Sequence, residues 1–414
     1  MEFTNPMNLD QDLLLPCGAK LSNRIAKSAM SENMSPRHHG PTKEIIKVYQ
    51  RWAEGNPGLL LTGNFMIDRN AIAEPGNILV EDKSNFEMLQ EWANVVKGRN
   101  VHLWPQINHP GRQALGRINK QVFAPSAIRT NVKGMNALFK HPKALQEDQI
   151  LDIIDRFGNT ALILKEAGFT GVQIHAAHGY LISQFLSPLT NQRNDQWGGS
   201  LENRMRFVIE VYKNIRGKVG EKFPIGIKIN SADFQRGGFT EQESMEVAQV
   251  LDQEGMDLIE VSGGTYEKPA MTGAFIKEST KAREAYFLDY IKKVRKLLKT
   301  PLMLTGGFRT VSIMEEAIAD GSLDVVGLAR PFTLYPDLSK QILEGQLEHL
   351  DIPSPKTGIQ TLDRSGFVDL KWHEIHIHRL GKGKAPNPSL SPYKVIGHNL
   401  NVLLKKLMFG KRIG

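Results

Sequence analysis

Residues 171–207 read GVQIHAAHGYLISQFLSPLTNQRNDQWGGSLENRMRF. The segment opens as a short apolar run, GVQIHAA, of the kind that suits a buried parallel strand. Where that strand should end stand His175, His178 and Tyr180. Spacings of three and two residues at a strand end can turn all three toward one opening. There, imidazoles can donate hydrogen bonds to an oxygen that gains charge, and a phenol can deliver a proton. The same spacing also fits a buried histidine pair with satisfied hydrogen bonds. A zinc reading of HxxH lacks a third ligand of fitting spacing, so no metal site is expected. The rest of the segment, NQRNDQWGGSLENRMRF, is polar and leads into a helical pattern at Met205, Phe207, Val208 and Val211.

Working outward, strand and helix patterns alternate along the chain. Strands are expected at 23–30, 58–65, 102–108, 171–177, 224–230, 258–263, 302–307 and 325–329. Helices are expected at 42–54, 85–98, 150–168, after 203–207, and at 240–255, 286–299, 311–321 and 336–343. Eight strand–helix units in alternation predict an α/β fold, a closed (β/α)8 TIM barrel. An open doubly wound sheet fits less well, because the glycine-rich dinucleotide fingerprint is missing after the first strand. Residues 109–149 form an excursion after strand three too long for an ordinary loop, which predicts a lid or a substrate-facing subdomain.

Active sites of such barrels lie at the C-terminal strand ends, and the unusual residues collect there. Strand one ends in Ser28, Ala29, Met30 and Ser31, and strand two in Gly63 and Asn64. Strand three ends in Gln106, His109 and Arg112, and strand five carries Lys228. Strands seven and eight end in Gly306-Gly307 and Ala329-Arg330, where backbone N–H groups and a guanidinium can hold a phosphate. A Gly-Gly pair also serves a plain tight turn. A cation inside a strand, as Lys228 is, needs an anion; a cofactor or a barrel carboxylate would each provide one.

The whole of HAAHGYLISQFLSP with NQRNDQWGGSLENRMRF closely resembles the signature of the old yellow enzyme family, the FMN-dependent ene-reductases. NRIAKSAMSEN, QINHPGR, LTGGF and GLARPF resemble further parts of the same family, so the likeness covers roughly residues 10–345. It implies non-covalent FMN, with Ser28, Ala29, Met30, Ser31, Asn64, Gln106 and Lys228 toward the flavin ring. Gly306, Gly307, Ala329 and Arg330 would then hold the phosphate. It further implies NAD(P)H as hydride donor and ping-pong reduction of an electron-poor alkene. His175 and His178 would bind the activating oxygen, and Tyr180 would protonate the α-carbon. The chain departs from the family at Ser31, where Thr or Cys is common, at Lys228 for Arg, at Asn33 for a substrate-binding Tyr, and at Trp197 for Tyr. A phosphate-binding barrel lyase or isomerase without FMN is the other enzyme class considered.

With 41% hydrophobic residues and 23% charged, the 414-residue chain has ample material for a core. Cys17 stands alone, which excludes a disulfide framework or a four-cysteine iron–sulfur cluster and points to a reducing compartment. The start, MEFTNPMNLDQD, lacks a signal-peptide pattern, and no apolar run is long enough to span a membrane, so a cytoplasmic location is expected. Residues 371–414 hold nine Lys/Arg against Glu374 alone, a net +8 that equals the whole chain's. The body is therefore neutral, and no nucleic-acid partner is expected. The division expected is a barrel at 1–345 and an extension at 346–414. In the extension, Pro and Gly predict an extended arm, with the His373, His376 and His378 alternation as a half-exposed strand or turn. A final helix with Ile396, Leu400, Leu403 and Leu407 in one stripe, beside Lys405, Lys406, Lys411 and Arg412, suits docking on the barrel or on a second copy. It suits equally a weak peripheral contact with an anionic membrane.

Overall fold

The computed structural model describes residues 7–132, 135–268, 284–360, 363, 366–395 and 397. The barrel strands are β1 Ile25–Lys27, β2 Leu59–Met66, β3 His102–Asn108, β4 Val172–Ala176, β5 Ile225–Asn230, β6 Leu258–Ser262, β7 Leu302–Thr305 and β8 Val325–Leu328. Each pairs in parallel with the next, and β8 pairs back onto β1, so the sheet closes into the expected barrel. Around it run α1 Lys43–Ala53, α2 Phe86–Ala93, α3 Glu147–Glu166, α4 Leu201–Val219, α5 Glu241–Gln253, α6 Leu288–Arg295, α7 Val311–Ala319 and α8 Leu338–Leu343. Thr240 and Glu243 start α5 with a reciprocal capping box, and Ser200 caps α4.

The barrel interior has two unlike layers. At the N-terminal end Ala26, Leu59, Leu61, Trp104, Leu258, Met303 and Val325 pack together under Leu13, Leu15 and Leu21. An antiparallel pair, Leu13–Leu14 with Lys20–Leu21, carries that apolar plug; the periodicity had not suggested it. Toward the C-terminal end the layer turns polar. Gln106 Nε2 donates to Gln173 Oε1 at 2.7 Å, and Gln173 Nε2 to Glu260 Oε2 at 2.7 Å. Lys228 Nζ lies 2.7 Å from Glu260 Oε1, which also accepts from Thr305 Oγ1 at 2.6 Å. Thr305 reaches Ser28 Oγ at 2.6 Å. The expected anion for Lys228 is thus Glu260, a barrel carboxylate, and the cation does not depend on a ligand for its charge balance. Strand register builds the layer, setting Lys228 level with both His175 and Glu260 and Gln106 level with Gln173.

A second buried network sits outside the sheet. Lys27 is fully buried, donates to Leu61 O at 2.8 Å and Tyr49 Oη at 3.1 Å, and lies 4.5 Å from the Trp52 ring centroid. Burial pushes its ammonium down to about 8. Glu32 accepts from the Tyr49 hydroxyl and from Gly63 N at 2.8 Å, which ties the loop after β1 to α1 and to β2.

The extension departs from the extended arm expected at 346–392. Phe367–Gly381 is a helix, α9, packed against α1. Its buried side includes Val368, Trp372, His376, Ile377 and Leu380. His373 and Glu374 are buried with them, so polar residues interrupt the apolar period and conceal it. His376 spends Nδ1 on Trp372 O and Nε2 on Asn387 O, at 2.8 and 2.9 Å. Among the described residues no cluster could hold a metal ion, and no helix is long and apolar enough to cross a membrane. The final stripe of Ile396, Leu400, Leu403 and Leu407 and its flanking cations lie outside the described residues.

Removing one partner of the barrel ion pair would strand a charge in a site with 4% and 0% side-chain exposure. Glu260→Leu should cost about 3–5 kcal/mol in urea unfolding of the apoprotein, and adding Lys228→Met should shrink that loss. Equal stability of Glu260→Leu and the native chain would contradict this.

Candidate active site

β4 delivers His175, and the chain must then reverse sharply to bring His178 and Tyr180 back against it. His178 has φ +61° and Gly179 φ +77°, two successive left-handed residues. The first costs a β-carbon-bearing residue about 1–2 kcal/mol. It is held by Asn230 Oδ1, which accepts from His178 N at 3.1 Å, and by Gln113 Nε2, which donates to His178 O at 3.0 Å. The left-handed φ of Gly179 favours glycine there, and a β-carbon would also displace Gln113 Nε2, which it would meet at 2.4 Å.

The turn brings the trio together. The His175 ring meets Tyr180 edge-on at 4.7 Å and His178 at 5.1 Å between centroids. Burial first holds both imidazoles neutral, well below the usual histidine range; Lys228 adds to this for both, and His178 adds to it for His175. Ala177 N donates to His175 Nδ1, which leaves the ring proton on Nε2. His178 Nε2 lies 2.9 Å from Ser262 Oγ. Asn64 Nδ2 donates to the Tyr180 hydroxyl at 3.3 Å, and Tyr266 Oη lies 2.7 Å from it. Burial pushes the Tyr180 phenol up to about 12, so it keeps its proton at neutral pH.

The polar run of the signature is structural. Asn191 Nδ2 donates to Phe185 O and Trp197 O, each at 2.8 Å. Arg193 Nη1 donates to Pro125 O and Leu145 O, which fastens the excursion after β3 to the turn after β4. Arg112, buried, pairs with Glu267 at 2.8 Å and joins the excursion to the loop after β6. Trp197 is core.

The remaining expected residues fall at two depths. Gln106 and Lys228 are buried in the polar layer, along with Ser28. Asn64 lies above them, its Oδ1 buried and without a hydrogen-bond partner. It gets there through a register shift in β2 between Leu61 and Asn64. Ala29, Met30, Ser31, Gly306, Gly307, Ala329 and Arg330 are half-buried at the rim. Ser31 Oγ donates to Glu74 Oε2. Gly306 and Gly307 have φ +143° and +92°, and a β-carbon on Gly307 would stand 2.6 Å from the Tyr286 ring. Arg330 Nη1 donates to Asp369 Oδ2 of α9 at 2.8 Å.

Sequence reasoning missed Glu260, Tyr266, Arg309 and Asp369. Glu260 alone carried a readable signal, as a carboxylate inside the apolar run LIEVS. The other three gain meaning only from their neighbours in space.

Residues 17–349 match the family described as "NADH:flavin oxidoreductase / NADH oxidase family". The NADH-dependent flavin oxidoreductase nadA of Aspergillus parasiticus is 38% identical over 344 residues, which cover 80% of this chain and 77% of that one. In structure the chain resembles a 2-naphthoyl-CoA reductase at TM-score 0.76 and 26% identity, covering 82% of this chain and 52% of that one. It shares its fold with an old yellow enzyme homologue from Zymomonas mobilis, at TM-score 0.70 and 23% identity over 84% of this chain and 95% of that one. The family match does not favour the lyase or isomerase reading, and Lys228 is paired with Glu260. The chain belongs to the NADH:flavin oxidoreductase family of old yellow enzymes, oxidoreductases that work with non-covalent FMN and NAD(P)H.

Proposed function

We propose that this oxidoreductase reduces the C=C bond of small electron-poor alkenes, such as enones, enals or nitroalkenes, in a ping-pong reaction. The observation that carries the reading is the convergence of two neutral imidazoles and one protonated phenol on a single opening. The residues around that opening fit FMN. Asn64 Oδ1 is a buried acceptor in want of a donor, as a heterocycle N–H would be. Lys228, with Glu260 as its one partner among the described residues, keeps N–H donors for a polar ring edge. Ala29, Met30, Ser31, Gln106 and Ser28 would complete the ring's surroundings, and Gly306, Gly307, Ala329 and Arg330 would hold the phosphate. When bound, FMN accepts hydride from NAD(P)H and passes it to the acceptor.

The protein's own part is to hold the activating oxygen and to supply a proton. His175 offers Nε2–H to that oxygen, and the neutral ring donates without adding a charge that would bind any anion. His178 stands beside it, with Ser262 fixing its other contact. Asn64 donates to the Tyr180 oxygen, which leaves the phenolic hydrogen for Tyr266 or for a substrate carbon. The turn at His178 and Gly179 fixes the three groups relative to one another before substrate arrives, so little orientation is left to be lost on binding.

Tyr180→Phe should separate the half-reactions in anaerobic stopped flow. Flavin reduction by NAD(P)H needs no phenolic proton and should change little. Reoxidation by cyclohexenone should slow by about 10²- to 10⁴-fold. Equal losses in both halves would overturn the role of Tyr180.

The histidines give a second test. Both are depressed below the usual range, so they stay neutral as pH falls to about 6, where an unperturbed histidine is largely charged. Ring ¹⁵N spectra at that pH should show neutral His175 with its proton on Nε2. An imidazolium signal for His175 there would contradict the reading.

A further inference from the structure

The tip of β7 and β8 carries two guanidiniums; of the carboxylates near them, Glu284 accepts from Arg309 N at 2.6 Å, Thr310 N at 2.9 Å and Thr310 Oγ1 at 2.7 Å, and Asp369 meets Arg330. Arg309 donates through Nη1 to Phe308 O at 3.1 Å and makes no ion pair among the described residues. Burial first, and Arg330 next, push its pKa down, so the two cations are near enough to repel. Arg330 meets Asp369 at 2.8 Å through Nη1 alone. Its other nitrogens have no hydrogen-bond partner among the described residues.

Asp369 is committed to this arginine. Its Oδ1 is buried and has no hydrogen-bond partner. The nearest candidate, His373 Nε2, lies 3.9 Å away and is also buried and without a partner. The reason lies one contact further on. The Thr333 hydroxyl donates to Arg330 O at 2.8 Å, so toward His373 Nδ1, at 2.7 Å, it can only accept. The His373 proton therefore sits on Nδ1. Burial holds the ring neutral, which leaves Nε2 with no hydrogen to offer Asp369.

We propose that Asp369, from the first turn of α9, is a positioning residue for the flavin phosphate. It holds Nη1 of Arg330 so that the free edge of the guanidinium, beside Gly306-Gly307 and Arg309, is set in advance to grip the anion. The proposal rests on the reading that Arg330 binds that phosphate. An arginine side chain loses much rotational freedom on gripping an anion, and here a carboxylate has taken up that loss in the free protein. The carboxylate also lets Arg330 stand beside Arg309. α9 is thereby part of the cofactor site, although it lies beyond the barrel in sequence.

Titration of the apoprotein with FMN and with riboflavin, which lacks the phosphate, tests this without turnover. Asp369→Asn should weaken FMN by about 5- to 20-fold and leave riboflavin within about twofold. In an Arg330→Ala background the same substitution should cost FMN nothing further, because its effect runs through Arg330. Equal weakening of both flavins, or an undiminished loss in the Arg330→Ala background, would make Asp369 a general structural residue and overturn the proposal. Tighter FMN binding would overturn it too, by making Asp369 a competitor of the phosphate. Should Arg330→Ala leave the FMN-over-riboflavin preference intact, the phosphate reading itself fails. If Asp369→Asn does not fold, Asp369→Glu displaces the carboxylate by one methylene. It should weaken FMN several-fold with riboflavin unchanged, and unaltered FMN binding would sink the idea.

Discussion

Two charges removed from water at the centre of a barrel must be compensated where they stand, and Lys228 and Glu260 compensate one another at 2.7 Å. The rest of the polar layer follows from that contact. Glu260 has a second oxygen to satisfy and takes Gln173, which leaves the Gln173 carbonyl oxygen to accept from Gln106. Its first oxygen also accepts from Thr305, which meets Ser28. Residues from four other strands, and Ser28 just past β1, are thereby oriented by one carboxylate. Lys228 also helps keep His175 and His178 neutral. The ion pair thus fixes both the floor of the site and the charge state of the groups above it.

The mouth is built by different means. No single element carries it. Arg193 and Arg112 fasten the excursion after β3 to the loops after β4 and β6 through backbone carbonyls and Glu267. On the opposite side α9 reaches three loops at once. His378 Nε2 meets Glu32 O at 2.8 Å, Lys371 lies between Glu74 and Glu374, and Asp369 holds Arg330. Glu74 in turn takes the Ser31 hydroxyl. The rim residues at β1 and β8 are therefore tied to a helix more than thirty residues beyond the last barrel strand.

Much of this was legible in the sequence, for physical reasons. A buried parallel strand must be apolar on both faces, so the eight strands stood out as short apolar runs, and β3 keeps the bounds expected of it, 102–108. The trio at 175–180 was readable because polar groups at a strand end are costly unless used. What could not be read depends on contacts remote in sequence. Lys228 announced that it needed an anion, but two sources were open, and Glu260 sits in another strand with nothing linking the two but register. Tyr266 and Asp369 are ordinary residues in ordinary contexts until Tyr180 and Arg330 lie beside them. α9 was concealed because His373, Glu374 and His376 are buried in it and hydropathy counts all three as polar, though both ring nitrogens of His376 are satisfied by carbonyls.

The central claim is that this barrel mouth holds a flavin that NAD(P)H can reduce. The visible spectrum of the purified protein, or of apoprotein reconstituted with FMN and passed through gel filtration, tests it most directly. Retained absorbance near about 450 nm that bleaches anaerobically on adding NAD(P)H, and returns on adding an enone, is the predicted result. A correctly folded protein that emerges from the column without flavin, or one whose bound flavin is not bleached by either nicotinamide, would contradict the account.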